Sequence, residues 1–262
     1  MALDRADLRA ERVVLLTTDN DLARIAARRL AAAFSNLKII VERPVSRRSL
    51  LLRRVKRLGF MHVVGQVGFM VFARLLQLAS RKRIKEILHS DQLEPAWPRD
   101  SELIEVPSVN SPECIDYLSR LDPQAIMVVG TRILERKTLS ASTAPFINYH
   151  AGITPKYRGI HGGYWAREQS DLSNFGVTVH LVDPGIDTGA VLYQARLVPS
   201  AKDNYTTYPY LQLAAALPLL QQAAQDAVEG KLKPQTVDLP SHLWSHPTIW
   251  RYVWSGVRRG AW

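Results

Sequence analysis

Arg12-Val-Val-Leu-Leu-Thr-Thr18, followed by Asp19-Asn-Asp21 and then Leu22 to Phe34, decides the fold class. The first run is short and apolar, as a buried strand requires. The Asp-Asn-Asp turn offers side-chain oxygens that can cap a helix, and the Ala-rich stretch to Phe34 has helical spacing. Leu37 to Val41 is a second apolar run. Strand, helix and strand in that order predict an α/β chain built on a parallel sheet.

The same pattern continues outward. Leu103 to Val106, Gln124 to Gly130 and Pro145 to His150 read as strands, and Pro112 to Leu121 as a helix. Phe175 to Val182 and Ala190 to Val198 read as a strand pair joined by Asp183-Pro-Gly-Ile-Asp187. Thr206 to Gly230 is a long helix carrying Pro209 and Pro218, and a kink or split is expected near Pro218 because proline removes a backbone donor. Residues 1–200 are expected to form the α/β core, with a helical insertion at 43–90, and residues 201–262 a C-terminal helix and tail. The tail holds Trp244, Trp250, Trp254 and Trp262 with Arg251, Arg258 and Arg259. It is read as a packed extension covering the domain or a partner subunit; a membrane-interface or stacking role is the alternative.

The composition is that of a folded globular protein: 262 residues, 47% hydrophobic and 22% charged. The single cysteine, Cys114, excludes an internal disulfide and fits a reducing compartment. Met1 to Arg12 has no apolar core of the kind secretory signals carry, so the expected location is cytoplasmic. The net charge of +10 is not spread over the surface. Arg43 to Lys85 holds twelve Lys and Arg and no Asp or Glu, which leaves −2 for the rest of the chain. A general nucleic-acid surface is therefore disfavoured. Within that segment Leu58 to Ala73 is uncharged, sixteen residues against the roughly 20 a spanning helix needs. Three readings stand: a buried or dimer-forming helix with a solvated basic flank, which is favoured, an interfacial helix resting on anionic lipid at the inner face of the membrane, and, least favoured, a transmembrane span.

The chemistry is concentrated between Asn148 and Leu192. Asn148 and His150 lie two apart at the end of a predicted strand, so both side chains point to one side, where open parallel sheets bind ligands. Asp187 lies on a loop between glycines. An amide, an imidazole and a carboxylate suit acyl-type transfer to an amine: the imidazole shuttles the proton the amine loses, the amide donates to the oxyanion, and the carboxylate supports the imidazolium. No Gly-x-Ser-x-Gly elbow, His-Glu-x-x-His, cysteine pair, Gly-x-Gly-x-x-Gly or P-loop is present in the sequence, so no metal site and no usual phosphate cradle are expected. His180 is read as structural or as a wall of the site.

Asn148-x-His150, Gly176-x-Thr178-x-His180 and Asp187-x-Gly189, at this spacing, resemble the formyltransferase family that uses 10-formyltetrahydrofolate. The resemblance covers residues 122–198 and implies a Rossmann-like core. It implies that Asn148 and His150 polarise the formyl oxygen and that Asp187 tunes His150. Gly130, Thr131, Arg132, Ile133 and Leu134 would line the folate pocket, with Asp183, Gly185 and Ile186 on the opposite wall. The acceptor is read from what remains. Thr17 to Asp21 lacks the glycines of glycinamide-ribonucleotide members, and the residues after Val198 do not read as the C-terminal β-domain of methionyl-tRNA members. Asn148 to Gly159 is most similar to sugar N-formyltransferases, which modify a nucleotide-linked amino sugar for cell-surface polysaccharide. Lys156, Tyr157, Arg158, Gly159, Asn204 and Tyr205 are then the candidate acceptor contacts. The glycinamide-ribonucleotide and methionyl-tRNA acceptors, and a non-catalytic module binding membrane or nucleic acid, stand as alternatives.

Overall fold

The computed structural model describes residues 12–45, 55–56, 59–99 and 101–262. Residues 46–54 and 57–58 of the expected helical insertion therefore lie outside the described residues. The first strand, β1 (Val13–Thr18), leads into α1 (Asp21–Ala33) and β2 (Lys38–Glu42). Asn20 is the residue that caps α1, accepting the Ala23 amide at 3.0 Å. Then come α2 (Phe60–Ala79), α3 (Arg81–Ser90), β3 (Leu103–Val106), α4 (Pro112–Leu121), β4 (Ala125–Val129) and the short α5 (Arg136–Leu139). The second half contains β5 (Phe146–His150), β6 (Arg158–Gly159), α6 (Gly162–Glu168), β7 (Gly176–Leu181), β8 (Val191–Arg196), α7 (Tyr208–Val228), β9 (Leu243–Trp244) and α8 (Ile249–Arg259).

Seven strands form one sheet in the order β3-β2-β1-β4-β5-β7-β8. The first five run parallel, and β7 and β8 are antiparallel to their neighbours. Helices cover both faces, which is why the central strands carry unbroken apolar runs, Val13–Leu16 in β1 and Ala125–Val129 in β4. Alternation sorts the side chains of β1. Val13 and Leu15 join Ile25, Leu30, Leu213, Leu217 and Leu220 from α1 and α7. Val14 and Leu16 join Cys114 and Leu118 of α4 on the other face. Burial pushes the Cys114 thiol up to about 12, so it behaves as a small apolar side chain.

The C-terminal helix packs on the core: α7 supplies Leu213, Leu217, Leu220, Ala223 and Ala224 to the same cluster as β1 and β4. Of the kink or split expected at Pro218, the split does not occur, since α7 runs unbroken from Tyr208 to Val228. Pro218 is on the exposed side of the helix, so the carbonyl it deprives of a partner can turn to water while the buried side stays packed. The tail packs as a cover: β9 pairs with β6 in a small parallel ladder, and Trp244 stacks on Trp165 with ring centroids 4.6 Å apart. Truncating Leu217, which is 1% exposed, to Ala leaves a cavity between α7 and the sheet and is expected to cost about 2–4 kcal/mol in urea unfolding.

Candidate active site

The antiparallel register of β5 and β7 sets Asn148 opposite His180 and His150 opposite Thr178. The β7–β8 connection then folds Asp187 back onto this pair, at φ +49°, a left-handed conformation that Asp and Asn tolerate better than most residues. Gly189 makes the return feasible, since a Cβ there would lie 1.8 Å from the Leu181 carbonyl oxygen. Four groups converge on the carboxylate. The Gly159 amide donates to Oδ2 at 2.8 Å, and Asn148 Nδ2 donates to Oδ1 at 3.4 Å. His150 Nδ1 lies 3.4 Å from Oδ2, and His180 Nε2 lies 3.5 Å from Oδ1.

The tautomers follow from the backbone. His150 Nε2 is 2.6 Å from the Tyr157 carbonyl, so it carries the hydrogen and donates. In the neutral ring Nδ1 then holds the lone pair and faces Asp187. His180 Nδ1 is 2.7 Å from the Leu181 carbonyl, which leaves Nε2 to accept from Asn148 Nδ2 at 3.1 Å. Burial pulls the His150 pKa down, against the opposing charge of Asp187. Burial alone would raise Asp187, but its contact with His180, the positive charge either imidazole gains on protonation and the Gly159 amide outweigh it and hold the carboxyl at about 2. The outcome is a neutral base whose free nitrogen faces a fixed negative charge. A reacting group would most readily displace the two 3.4 Å contacts, the longest hydrogen-bond and ion-pair distances made by Asn148 and His150.

The family model for formyl transferases matches residues 75–210. That span is more than half of the sequence and contains the whole convergence on Asp187.

The chain belongs to the formyl transferase family.

A methionyl-tRNA formyltransferase from Caldanaerobacter subterraneus subsp. tengcongensis is 29% identical over 157 residues, 59% of this chain and 50% of the relative. The chain matches between 30% and 50% of the length of such curated relatives. An N-formyltransferase from Helicobacter canadensis, solved with folinic acid and dTDP-3-aminofucose, superposes with a TM-score of 0.54 at 14% identity, covering 89% of this chain and 70% of that one. A glycinamide ribonucleotide transformylase from Symbiobacterium toebii gives 0.56 at 14% identity, covering 87% and 95%. Both share the mostly parallel α/β formyltransferase fold.

Within this family fold, Gly130 to Leu134 leave the end of β4 with Gly130 at φ +71°. The segment is clamped by a residue the sequence reading passed over. Glu42, 2% exposed at the end of β2, accepts from the Arg132 amide at 2.7 Å and pairs with its guanidinium at 2.5 Å. Glu42 also accepts from the Val109 amide. Asn110 holds the other end through the Ile133 carbonyl and the Glu135 amide. Leu134 is buried in the α4-side core cluster, against which Val182 also packs. Ile133 and Ile186 stay 60% and 37% exposed. The Asp183 carboxylate accepts from Gly185 N and Thr188 Oγ1, which shapes the turn that delivers Asp187.

The candidate acceptor residues are more dispersed. Lys156 pairs with Asp171 at 2.6 Å, and the Tyr157 hydroxyl donates to the same carboxylate at 2.7 Å. Tyr157 itself is 1% exposed, so it meets the site through its carbonyl on His150. Arg158 donates to the Ile186 carbonyl at 3.3 Å, and Gly159 reaches Asp187 through its amide. Asn204 and Tyr205 are not beside these groups in the hydrogen-bond network. Asn204 bonds Ser80 and Thr206 at the start of α7, and the Tyr205 hydroxyl meets His161 within an aromatic cluster. His161, buried beside His246, is pushed down to about 3 and stays neutral.

Sequence reasoning missed Glu42 and left His180 as structural or as a wall of the site. A charged residue closing an otherwise apolar strand was the available signal for the first. The strand register that places His180 opposite Asn148 was not in the local pattern.

Because Asp187 has a folded pKa of about 2 against an ordinary 3.8, it stabilises the fold above pH 4 and loses that contribution as pH falls toward 2. Asp187→Asn should therefore be less stable than the parent by about 2 kcal/mol near neutral pH, and the gap should close between pH 4 and pH 2 in denaturant titrations.

Proposed function

We propose that this chain transfers a formyl group from 10-formyltetrahydrofolate to a primary amine, and that the amine belongs to a nucleotide-linked amino sugar. The observation that carries the transfer chemistry is the neutral His150 base facing an ionised Asp187 beside the Asn148 amide. The folate supplies the one-carbon unit as an electrophile and its nitrogen as the leaving group. The apolar, exposed Ile133 and Ile186, on segments braced by Glu42, Asn110 and Asp183, fit the flat ring of such a donor.

The work of this chain is then proton and charge handling. Asn148 Nδ2 exchanges its long contact to Asp187 for the oxygen on the transferred carbon as that oxygen becomes negative. His150 Nδ1 accepts the proton the acceptor nitrogen loses as the new C–N bond forms, and Asp187 stabilises the resulting imidazolium. The proton returns to the donor nitrogen when the old C–N bond breaks. His150 Nε2–H stays on the Tyr157 carbonyl throughout, so Asn148 rather than His150 is the side-chain donor to the oxyanion.

The sugar acceptor is supported by the Asn148–Gly159 sequence and by the likeness to the dTDP-3-aminofucose-bound neighbour. A methionyl-tRNA acceptor is the second reading, favoured by the names of the sequence relatives. The enzyme is proposed to act in the cytoplasm. Purified protein with 10-formyltetrahydrofolate and a panel of nucleotide amino sugars, glycinamide ribonucleotide and Met-tRNA should show a formyl mass shift on an amino sugar. A shift on Met-tRNA alone would select the second reading, and none on any amine would refute formyl transfer. Asn148→Ala is expected to lower kcat about 10²–10³-fold. Glu42→Gln should raise KM for the folate with a smaller change in kcat, because it loosens the segment that holds the donor and leaves Asp187 in place.

A further inference from the structure

The feature with no part in this chemistry is an apolar face on α2 and α8. On α2, Phe60, Val64, Val67, Val71, Leu75 and Leu78 recur every three or four residues and are 39–68% exposed. By length and composition α2 could cross a membrane. Its opposite side is committed to the protein: Val63, Gln66 and Phe69 are buried, the Gln66 amide donates to the His246 carbonyl, and Phe69 packs on Tyr205 and Tyr252. A helix held along one side by a folded domain, with its apolar stripe facing outward, suits the surface of a bilayer rather than its interior.

The stripe continues onto α8. The Trp250 ring lies over Gly65, where a Cβ would be 2.2 Å away, and Ile249 faces Gly68. Beyond Trp250, α8 exposes Val253, Trp254 and Val257. Arg258 and Arg259 lie 5.8 and 5.4 Å from the Trp254 ring, an aromatic–cation pairing suited to the headgroup level.

Charge selects the occupant. The helices α2, α3 and α8 carry eight Arg and Lys and one carboxylate, Glu86. At the α2–α3 junction an open depression of about 400 Å³ is lined by Leu76, Ala79, Lys82, Arg83, Glu86 and Lys202. Arg83 is paired with Asp203, whereas Lys82 is exposed there beside the apolar end of α2. Joining two copies through this face would bring like charges together, whereas an anionic bilayer would neutralise them and bury the apolar stripe at once. We propose that α2, α3 and α8 form a docking surface for an anionic lipid bilayer, on which the enzyme rests peripherally.

The test is flotation of the full chain with vesicles of phosphatidylcholine alone or with roughly a third phosphatidylglycerol. This readout does not depend on the formyl acceptor. The parent protein should float with the anionic vesicles and at least about tenfold less with neutral ones, and added salt should release it. Val71→Glu/Leu75→Glu should lose the association at least about tenfold, with an unchanged circular dichroism spectrum and unchanged folate turnover. Val71→Ser/Leu75→Ser serves the same purpose if the glutamates prevent folding. Arg81→Gln/Lys82→Gln/Lys85→Gln should weaken binding to anionic vesicles alone. No flotation of the parent, or association that survives alkaline carbonate as an integral segment does, would overturn the proposal. So would a dimer in sizing that the Val71/Leu75 variants split without any binding to vesicles.

Discussion

One carboxylate ties together three separate elements of the fold. Asp187 meets the end of β5 through Asn148 and His150, β7 near its C-terminal end through His180, and β6 through the Gly159 amide. Burying a charge costs several kcal/mol unless every lone pair finds a donor. Here the Gly159 amide and the Asn148 side-chain amide donate to it, both imidazoles lie within 3.5 Å, and the carboxyl remains ionised well below neutral pH. The same contacts that stabilise the charge fix the positions of the groups able to react. Fold and chemistry thus depend on the same contacts.

The backbone around this point is arranged to permit the approach. Gly152 lets the chain pass His150 so closely that a Cβ would lie 2.6 Å from the Tyr157 carbonyl, the group that sets the His150 tautomer. The tail reinforces the same region from outside: β9 pairs with β6, and the Trp244 indole donates to the Lys156 carbonyl. The C-terminal extension therefore braces the strand that carries Gly159, with Trp165, Trp244 and Arg251 stacked over one another. Glu42, at the end of β2, does a comparable job for residues 130–134, with Arg132 lying 90 positions further along the chain.

Much of this was legible in the order of residues. The strand and helix at Val13–Ala33 were readable because burial on both faces demands uninterrupted apolar runs and Asn20 supplies a local cap. Asn148, His150 and Asp187 were readable through their spacing. What was not legible depends on distant partners. The β5–β7 register brings His180 to Asn148, and nothing near either residue announces it. The two-residue ladder of β6 and β9 is too short to leave a pattern. Pro218 pointed to a kink or a split because local propensity counts the missing donor and not the core contacts of Leu213, Leu217 and Leu220; those contacts hold the helix together, and no split occurs. The partners of Asn204 and Tyr205 were equally unreadable: Asn204 bonds Ser80 and Tyr205 packs into an aromatic cluster.

The central claim is that His150 is a neutral base with its hydrogen on Nε2 and its lone pair on Nδ1 toward an ionised Asp187. Side-chain nitrogen NMR of selectively labelled protein reads this directly. Near neutral pH the account requires a protonated Nε2, an unprotonated Nδ1 and an Asp187 carboxyl that titrates only near the acid end, at about 2. A hydrogen resting on Nδ1, or an Asp187 carboxyl that titrates above the ordinary 3.8, would contradict it.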